Sequence, residues 1–172
     1  VYADPDALST LPAEAFAQGL AEAVKTALIG DPELFGMIES RSPDLLSRDT
    51  ALLETVIGRC LSVKIGIVET DERDAGPRRA LNLGHTFGHA LEAASDYRMG
   101  HGQAVAIGLV LAARFSAHMG VLEDETLPDR LRGVLESLGL PVAAAPDLLR
   151  RARPFFSAAK KARGGLPVFV LP

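Results

Sequence analysis

The sequence predicts a mainly helical protein. Three observations carry this. Apolar residues recur at helical spacing in at least five segments. Gly, Pro and Asp fall between those segments, where helices start and stop. Strand-like runs are confined to the two chain ends, Val1-Tyr-Ala-Asp4 and Val168-Phe-Val170.

Taken in order, Asp4-Pro5-Asp6 reads as a turn, and Pro12 is placed to begin a helix. Phe16, Leu20, Ala23, Val24, Ala27 and Leu28 then repeat along one face. Gly30-Asp31-Pro32 ends that helix, and Asp31 can cap a shorter one running through Ile38. A long helix is predicted from Asp49 to Glu69, with Leu53, Val56, Ile57, Cys60, Leu61, Ile67 and Val68 as its apolar stripe. Asp71 to Pro77 is a charged, punctuated loop. Helices follow at Arg79–Ala94, Ala104–Met119 and Glu125–Leu138, then two short ones at Asp147–Ala152 and Pro154–Ala162. No internal repeat interrupts this order.

Composition limits the function. The 172 residues suit one domain, 1–172, with a sizeable core. The 18 basic against 22 acidic residues argue against nucleic acid as a partner, which selects for a basic face. The strongest apolar run, Ala104 to Ala113, is far shorter than the roughly 20 residues of a spanning helix. A single cysteine, Cys60, cannot form an intrachain disulfide and suits a reducing cytoplasm. The chain begins at Val1, which suggests a segment of a longer protein.

Three of the four histidines lie in one stretch: His85 and His89 within Asn82-Leu-Gly-His-Thr-Phe-Gly-His89, and His101 in His101-Gly-Gln103. Residues four apart on a helix share a face, so His85 and His89 would lie together, and His101 follows a turn that can bring it back. Such a cluster fits a metal, whose further ligand is often a carboxylate. Glu22, set between Ala21 and Ala23, is a candidate; a solvent-facing Glu22 and hydrogen-bonded structural histidines are the alternative. The His85–His89 spacing resembles a zincin motif only superficially, because no Glu follows His85 to serve as base, and a peptidase reading is weak. Lys64 falls on the long helix's apolar stripe, where it must snorkel, pair or line a polar cavity. Lys25 stands one turn from Glu22, close enough for an ion pair. On an unbroken helix Arg78, Asn82, His85 and His89 would form one row able to grip an oxyanion beside a metal. Gly84 and Gly88 weaken that helix unless something packs close against them. Nucleophile-elbow, phosphate-loop and dinucleotide fingerprints are all absent.

The string Leu81-Asn-Leu-Gly-His-Thr-Phe-Gly-His-Ala-Leu-Glu92, with His101-Gly-Gln-Ala-Val-Ala-Ile-Gly108, closely resembles the 3-dehydroquinate synthase family. Gly19-Leu-Ala-Glu-Ala-Val-Lys25 and Lys64 with Glu69–Arg73 resemble two further family segments. The resemblance implies the helical C-terminal domain of a two-domain α/β enzyme. It implies zinc, or cobalt in its place, on Glu22, His85 and His101, and NAD held mainly by an N-terminal domain outside this chain. It implies that Lys25 meets the substrate hydroxyl that is oxidised, Lys64 and Arg78 the carboxylate, and Asn82 and Lys160 the phosphate. His89 then serves phosphate contact and proton transfer. The implied reaction converts 3-deoxy-D-arabino-heptulosonate 7-phosphate to 3-dehydroquinate and phosphate in the shikimate route, in a cytoplasmic enzyme and a possible homodimer. Two positions depart from the family pattern: Ala159 replaces an acidic residue, and Gln103 stands where Glu is common. The chain alone is expected to be inactive and to bind NAD negligibly. Other sugar phosphate cyclases share the implied metal triad. A metal-dependent polyol dehydrogenase would need no phosphate grip, and a non-catalytic metal-binding helical domain is the alternative from outside enzymology.

Overall fold

The computed structural model describes residues 2–73 and 76–162, with side chains through residue 156. A 3-10 helix, Pro5–Thr10, opens the chain. It is followed by α1 (Ala13–Gly30), α2 (Pro32–Ser40), the short α3 (Ser42–Leu46) and α4 (Thr50–Thr70). A second 3-10 helix, Pro77–Asn82, leads to α5 (His85–Ala94), α6 (His101–His118), α7 (Leu127–Ser137) and α8 (Pro146–Ala162). No strand occurs among the described residues.

Local chemistry sets most boundaries. Asp31 stops α1 and caps α2, its carboxylate accepting from Leu34 N at 3.0 Å. Asp49 caps α4 in the same way through Leu52 N at 2.7 Å.

The α6 helix is apolar on nearly every side and is accordingly buried, as a helix without a wet face must be. It serves two cores. Val105, Ala106, Leu109 and Val110 pack with α1, α2, α4 and α7, while Ala104 and Ile107 face a smaller core from α5 and α8. Helix α1 packs on α6, α4 and α2, and α5 packs on α6 and α8. This places Glu22 of α1 opposite the starts of α5 and α6.

Four expectations need correction. Tyr2–Asp4 forms no strand, although Asp4 is extended; the strand expected at Val168–Val170 lies outside the described residues. The helix expected over Arg79–Ala94 is two elements, because Gly84 adopts a left-handed conformation (φ 75°) that no continuous helix allows. Arg78 and Asn82 therefore do not share a helix row with His85 and His89. The two short C-terminal helices are one, α8, with Pro154 inside it. Pro154 and Arg150 are both exposed, so water can take the carbonyl that the proline leaves unbonded. Finally, the α4 stripe is covered only in its first half, at Leu52, Leu53 and Val56. Beyond it Leu61, Lys64 and Ile65 are exposed, and Leu61 and Lys64 form part of the wall of a cleft.

Candidate metal centre and adjoining cleft

The site begins with a glycine. Gly84's turn folds Leu83 back so that its carbonyl lies 3.1 Å from His85 Nδ1. A carbonyl only accepts, so Nδ1 carries the proton and Nε2 keeps a bare lone pair. The same lack of a side chain lets α6 come very close. A Cβ on Gly84 would lie 2.9 Å from Leu109 N, and one on Gly108 would lie 2.2 Å from Gly84 O. Gly88 likewise meets the Ala104 carbonyl, so the close approach that the two glycines require is made by α6.

His101 stands at the first residue of α6. Gly100 N donates to Gln103 Oε1 at 3.1 Å, and Gln103 Nε2 donates to Glu14 Oε1 at 3.0 Å, tying the helix start to α1. Gly102 N donates to Gln18 Oε1 at 3.2 Å, and any Cβ on Gly102 would strike the Gln18 backbone. The Gln103 departure thus has a structural task that its amide performs. His101 Nδ1 lies 3.0 Å from Glu92 Oε1, and its Nε2 lies 3.2 Å from Glu22 Oε1.

Glu22 is where these parts meet. Its Oε1 also lies 3.6 Å from His85 Nε2, and its Oε2 lies 2.6 Å from Lys25 Nζ. Burial raises the Glu22 carboxyl's pKa, but the Lys25 hydrogen bond and charge, with the charges of His85 and His101, outweigh it and hold it below the ordinary carboxylate value. Burial pushes the His85 pKa down, against the Leu83 carbonyl, and the Lys25 charge adds to the lowering. One ligand atom each from Glu22, His85 and His101 lies within 4.8 Å of the others. Two imidazoles and a carboxylate are a donor set suited to a catalytic zinc with one open position, and both Nε2 atoms face the same Glu22 oxygen. The residues therefore fit a divalent metal. His89, Glu92 and His101 form a second such group, sharing His101. His89 is exposed; its ring centroid lies 5.2 Å from that of His85 and 6.2 Å from that of His101.

A cleft of about 740 Å³ adjoins this cluster. Glu22, Lys25, Lys64, Arg78 and Asn82 line it beside an apolar wall from α1 and α4. The histidines are not part of its lining, so cleft and cluster meet at Glu22 and Lys25. Lys25 is buried, at 7% exposure. Arg78 is held from behind: its Nη1 donates to the Glu72 carbonyl at 2.8 Å, and its backbone N–H to the buried Asp71 carboxylate at 3.1 Å. Cys60 also lines the cleft, and burial pushes its thiol up to about 11, so it remains protonated. The Lys160 side chain lies outside the described residues.

The family model of the 3-dehydroquinate synthase C-terminal region matches residues 19–162. The chain belongs to this family. As a 3-dehydroquinate synthase C-terminal domain, it is 45% identical over 141 residues to a 3-dehydroquinate synthase of Dehalococcoides mccartyi (strain BAV1), covering 82% of this chain and 39% of that protein. It is 43% identical over 172 residues to the 3-dehydroquinate synthase of Nitrosospira multiformis, covering 99% of this chain and 47% of that protein. The domain thus spans less than half the length of these relatives. Among solved structures it resembles a 2-epi-5-epi-valiolone synthase of Streptomyces hygroscopicus subsp. jinggangensis with NAD+ and Zn2+ bound, at TM-score 0.81 and 30% identity, covering 98% of this chain and 50% of that one. It also resembles 2-deoxy-scyllo-inosose synthase complexed with carbaglucose-6-phosphate, NAD+ and Co2+, at TM-score 0.71 and 27% identity, covering 90% and 43%.

Sequence reasoning gave no role to Glu92, Asp71 or Gln18. Glu92 had a readable signal, since it follows His85 by seven residues and His89 by three on one helix. Asp71 and Gln18 had none.

Proposed function

We propose that this domain carries the metal and substrate site of a 3-dehydroquinate synthase, which converts 3-deoxy-D-arabino-heptulosonate 7-phosphate to 3-dehydroquinate and phosphate. The observation that carries the reading is the junction at Glu22, where a two-imidazole, one-carboxylate cluster opens onto a cleft lined by Lys25, Lys64, Arg78 and Asn82. NAD would be bound chiefly by a further domain, and the protein would act in the cytoplasm, with a homodimer as its assembly.

In this reading Glu22, His85 and His101 hold zinc or cobalt, which supplies Lewis-acid polarisation of the substrate alcohol. Lys25 stands beside Glu22 at the mouth of the cluster and donates to the hydroxyl that is oxidised. Lys64 and Arg78 neutralise the carboxylate, and Asn82, His89 and Lys160 serve the phosphate side, His89 also carrying a proton. The domain's contribution is orientation and charge neutralisation, which a substrate able to use its own phosphate as base requires more than a dedicated base.

The test separates metal from substrate binding in the full-length protein. Lys64→Ala should keep its metal and lose substrate affinity, because an ammonium cannot ligate. His85→Ala should lose the metal. A Lys64→Ala protein that loses metal, or keeps wild-type affinity and turnover, refutes this division.

A second reading, another sugar phosphate cyclase, draws on the fold match to the valiolone synthase. The higher identity to 3-dehydroquinate synthases favours the first. Assay of the intact protein on heptulosonate 7-phosphate beside sedoheptulose 7-phosphate separates the two.

A further inference from the structure

We infer that Glu92 is a positioning residue for the metal: its carboxylate grips His101 at Nδ1 and so presents Nε2 to Glu22 and His85. The inference rests on the metal reading above and adds a residue to it.

The two histidines of the cluster are held in matching ways. His85 Nδ1 is engaged by the Leu83 carbonyl at 3.1 Å, and its Nε2 faces Glu22 Oε1. His101 Nδ1 is engaged by Glu92 Oε1 at 3.0 Å, and its Nε2 faces the same Glu22 oxygen. In each ring Nδ1–H is taken by an acceptor, so Nε2 is the nitrogen left to face a cation shared with Glu22. An imidazole gives one metal only one of its nitrogens. Since both Nε2 atoms converge on Glu22, the Nδ1 side of His101 is the support and not the ligand.

The two supports differ because the two rings differ. His85 is walled in, with a side chain 14% exposed, and a neutral carbonyl suffices to hold it. His101 begins a helix and its side chain is 49% exposed, so packing does not fix its χ angles. A carboxylate bond, about twice as strong as a neutral one, can. Glu92 is itself well placed to act as a fixed point, with a side chain only 13% exposed. The turn after α5 sets the distance. Asp96 and Tyr97 both adopt left-handed conformations (φ 55° and 57°), and Tyr97 N donates to the Glu92 carbonyl at 2.8 Å. That reversal brings His101, nine residues on, back beside the Glu92 side chain. Two successive non-glycine residues in this region carry a steric cost, and the connection keeps them.

The test uses full-length protein stripped of metal by a chelator, with Glu92→Leu and Glu92→Gln compared with wild type. Zn2+ affinity is read by competition with a chromophoric chelator, and the Co2+ spectrum and stoichiometry at saturation are recorded. Affinity should fall from about 10-fold for Gln, whose amide oxygen still accepts, to about 100-fold for Leu. Stoichiometry and the Co2+ spectrum should stay as in wild type. In the Zn2+ form the slowly exchanging, hydrogen-bonded Nδ1–H proton signal of His101 should be kept in Gln and lost to solvent exchange in Leu, a readout that general destabilisation does not move. If Leu does not fold, the isosteric Gln still decides by its affinity and spectrum. Wild-type affinity in the variants overturns the inference. So does a lost metal equivalent or an altered Co2+ spectrum, which would make Glu92 a ligand alongside His89. A wild-type protein that takes up no metal overturns this inference and the metal reading together, whereas normal wild-type uptake with unaffected variants overturns this inference alone.

Discussion

Lys25 holds Glu22 by one oxygen only: Nζ lies 2.6 Å from Oε2, while Oε1 is turned to His85 and His101. The pair lets Glu22 stay ionised although it is partly buried, and leaves it one oxygen for a shared cation.

Replacing Lys25 with Met should strand that carboxylate. The expected cost in the metal-free protein at pH 7 is about 1–3 kcal/mol, below that of a fully buried pair because Glu22 keeps contact with solvent. The sign of the pH dependence follows from the lowered Glu22 value. Its stabilisation is present above the unfolded value of 4.5 and is lost as pH falls through the lower folded one. The gap between wild type and variant should therefore narrow below pH 4.5. Urea midpoints at pH 7 and pH 4 measure it; a gap that widens with acid contradicts the pairing.

His85 should remain neutral in the metal-free protein to a pH below 6.5, since burial and the Lys25 charge both oppose its protonation. The unfolded chain takes up this proton first, so His85 costs stability progressively as pH falls below 6.5 through the folded value. Histidine NMR titration gives the folded value directly. Lys25→Met should raise it, because one of the lowering charges is removed. No movement in that variant would remove Lys25 from the account.

Gly108→Ala should damage both the fold and the metal site. The new methyl would stand 2.2 Å from the Gly84 carbonyl oxygen, a backbone atom that cannot turn aside. Overpacking of this kind costs about 1–3 kcal/mol. The displaced Gly84 turn also carries Leu83, whose carbonyl orients His85, so Zn2+ affinity should drop with stability. Gly133→Ala, inside α7 with open space around its Cβ, is the control: it should leave Zn2+ affinity unchanged and raise stability by up to about 1 kcal/mol. Thermal melts and chelator competition on both variants check this.

Arg48 should prove to be the fastening of the N-terminal 3-10 helix. Its guanidinium donates to the carbonyls of Leu8, Ser9 and Leu11 and stacks 4.9 Å above the Phe16 ring. Asn tolerates the left-handed backbone at this position (φ 62°), so Arg48→Asn isolates the side chain. A loss of about 1–3 kcal/mol is expected, with faster protease cleavage around residues 5–11. Leu8 and Leu11 line the cleft, so on the proposed function KM of the full-length protein should rise as well. Wild-type protease resistance would count against the fastening.

Much of the fold was legible because its signals are local. Asp31 and Asp49 cap helices through amides three residues away, and the stripe from Phe16 to Ala27 declares α1 within a few turns. Gly84 was misread because a glycine inside a helical pattern and one in a left-handed cap look alike until its dihedral is known. The half-covered stripe of α4 was misread for a related reason. Periodicity shows which residues prefer burial and does not show whether a neighbour arrives to cover them.

By itself the sequence determined the helices, the caps that separate them and the presence of clustered histidines among small residues, since each depends on atoms within about one turn. Only the tertiary structure decided which nitrogens and oxygens face one another. Glu22 and His101 are 79 residues apart and meet because Gly102 lets α6 begin against the backbone of Gln18. Glu92 reaches His101 because the left-handed turn at Asp96 and Tyr97 returns the chain to α5. Such convergence depends on how closely helices can approach, which is set by the shape of both surfaces together and is written in neither segment alone.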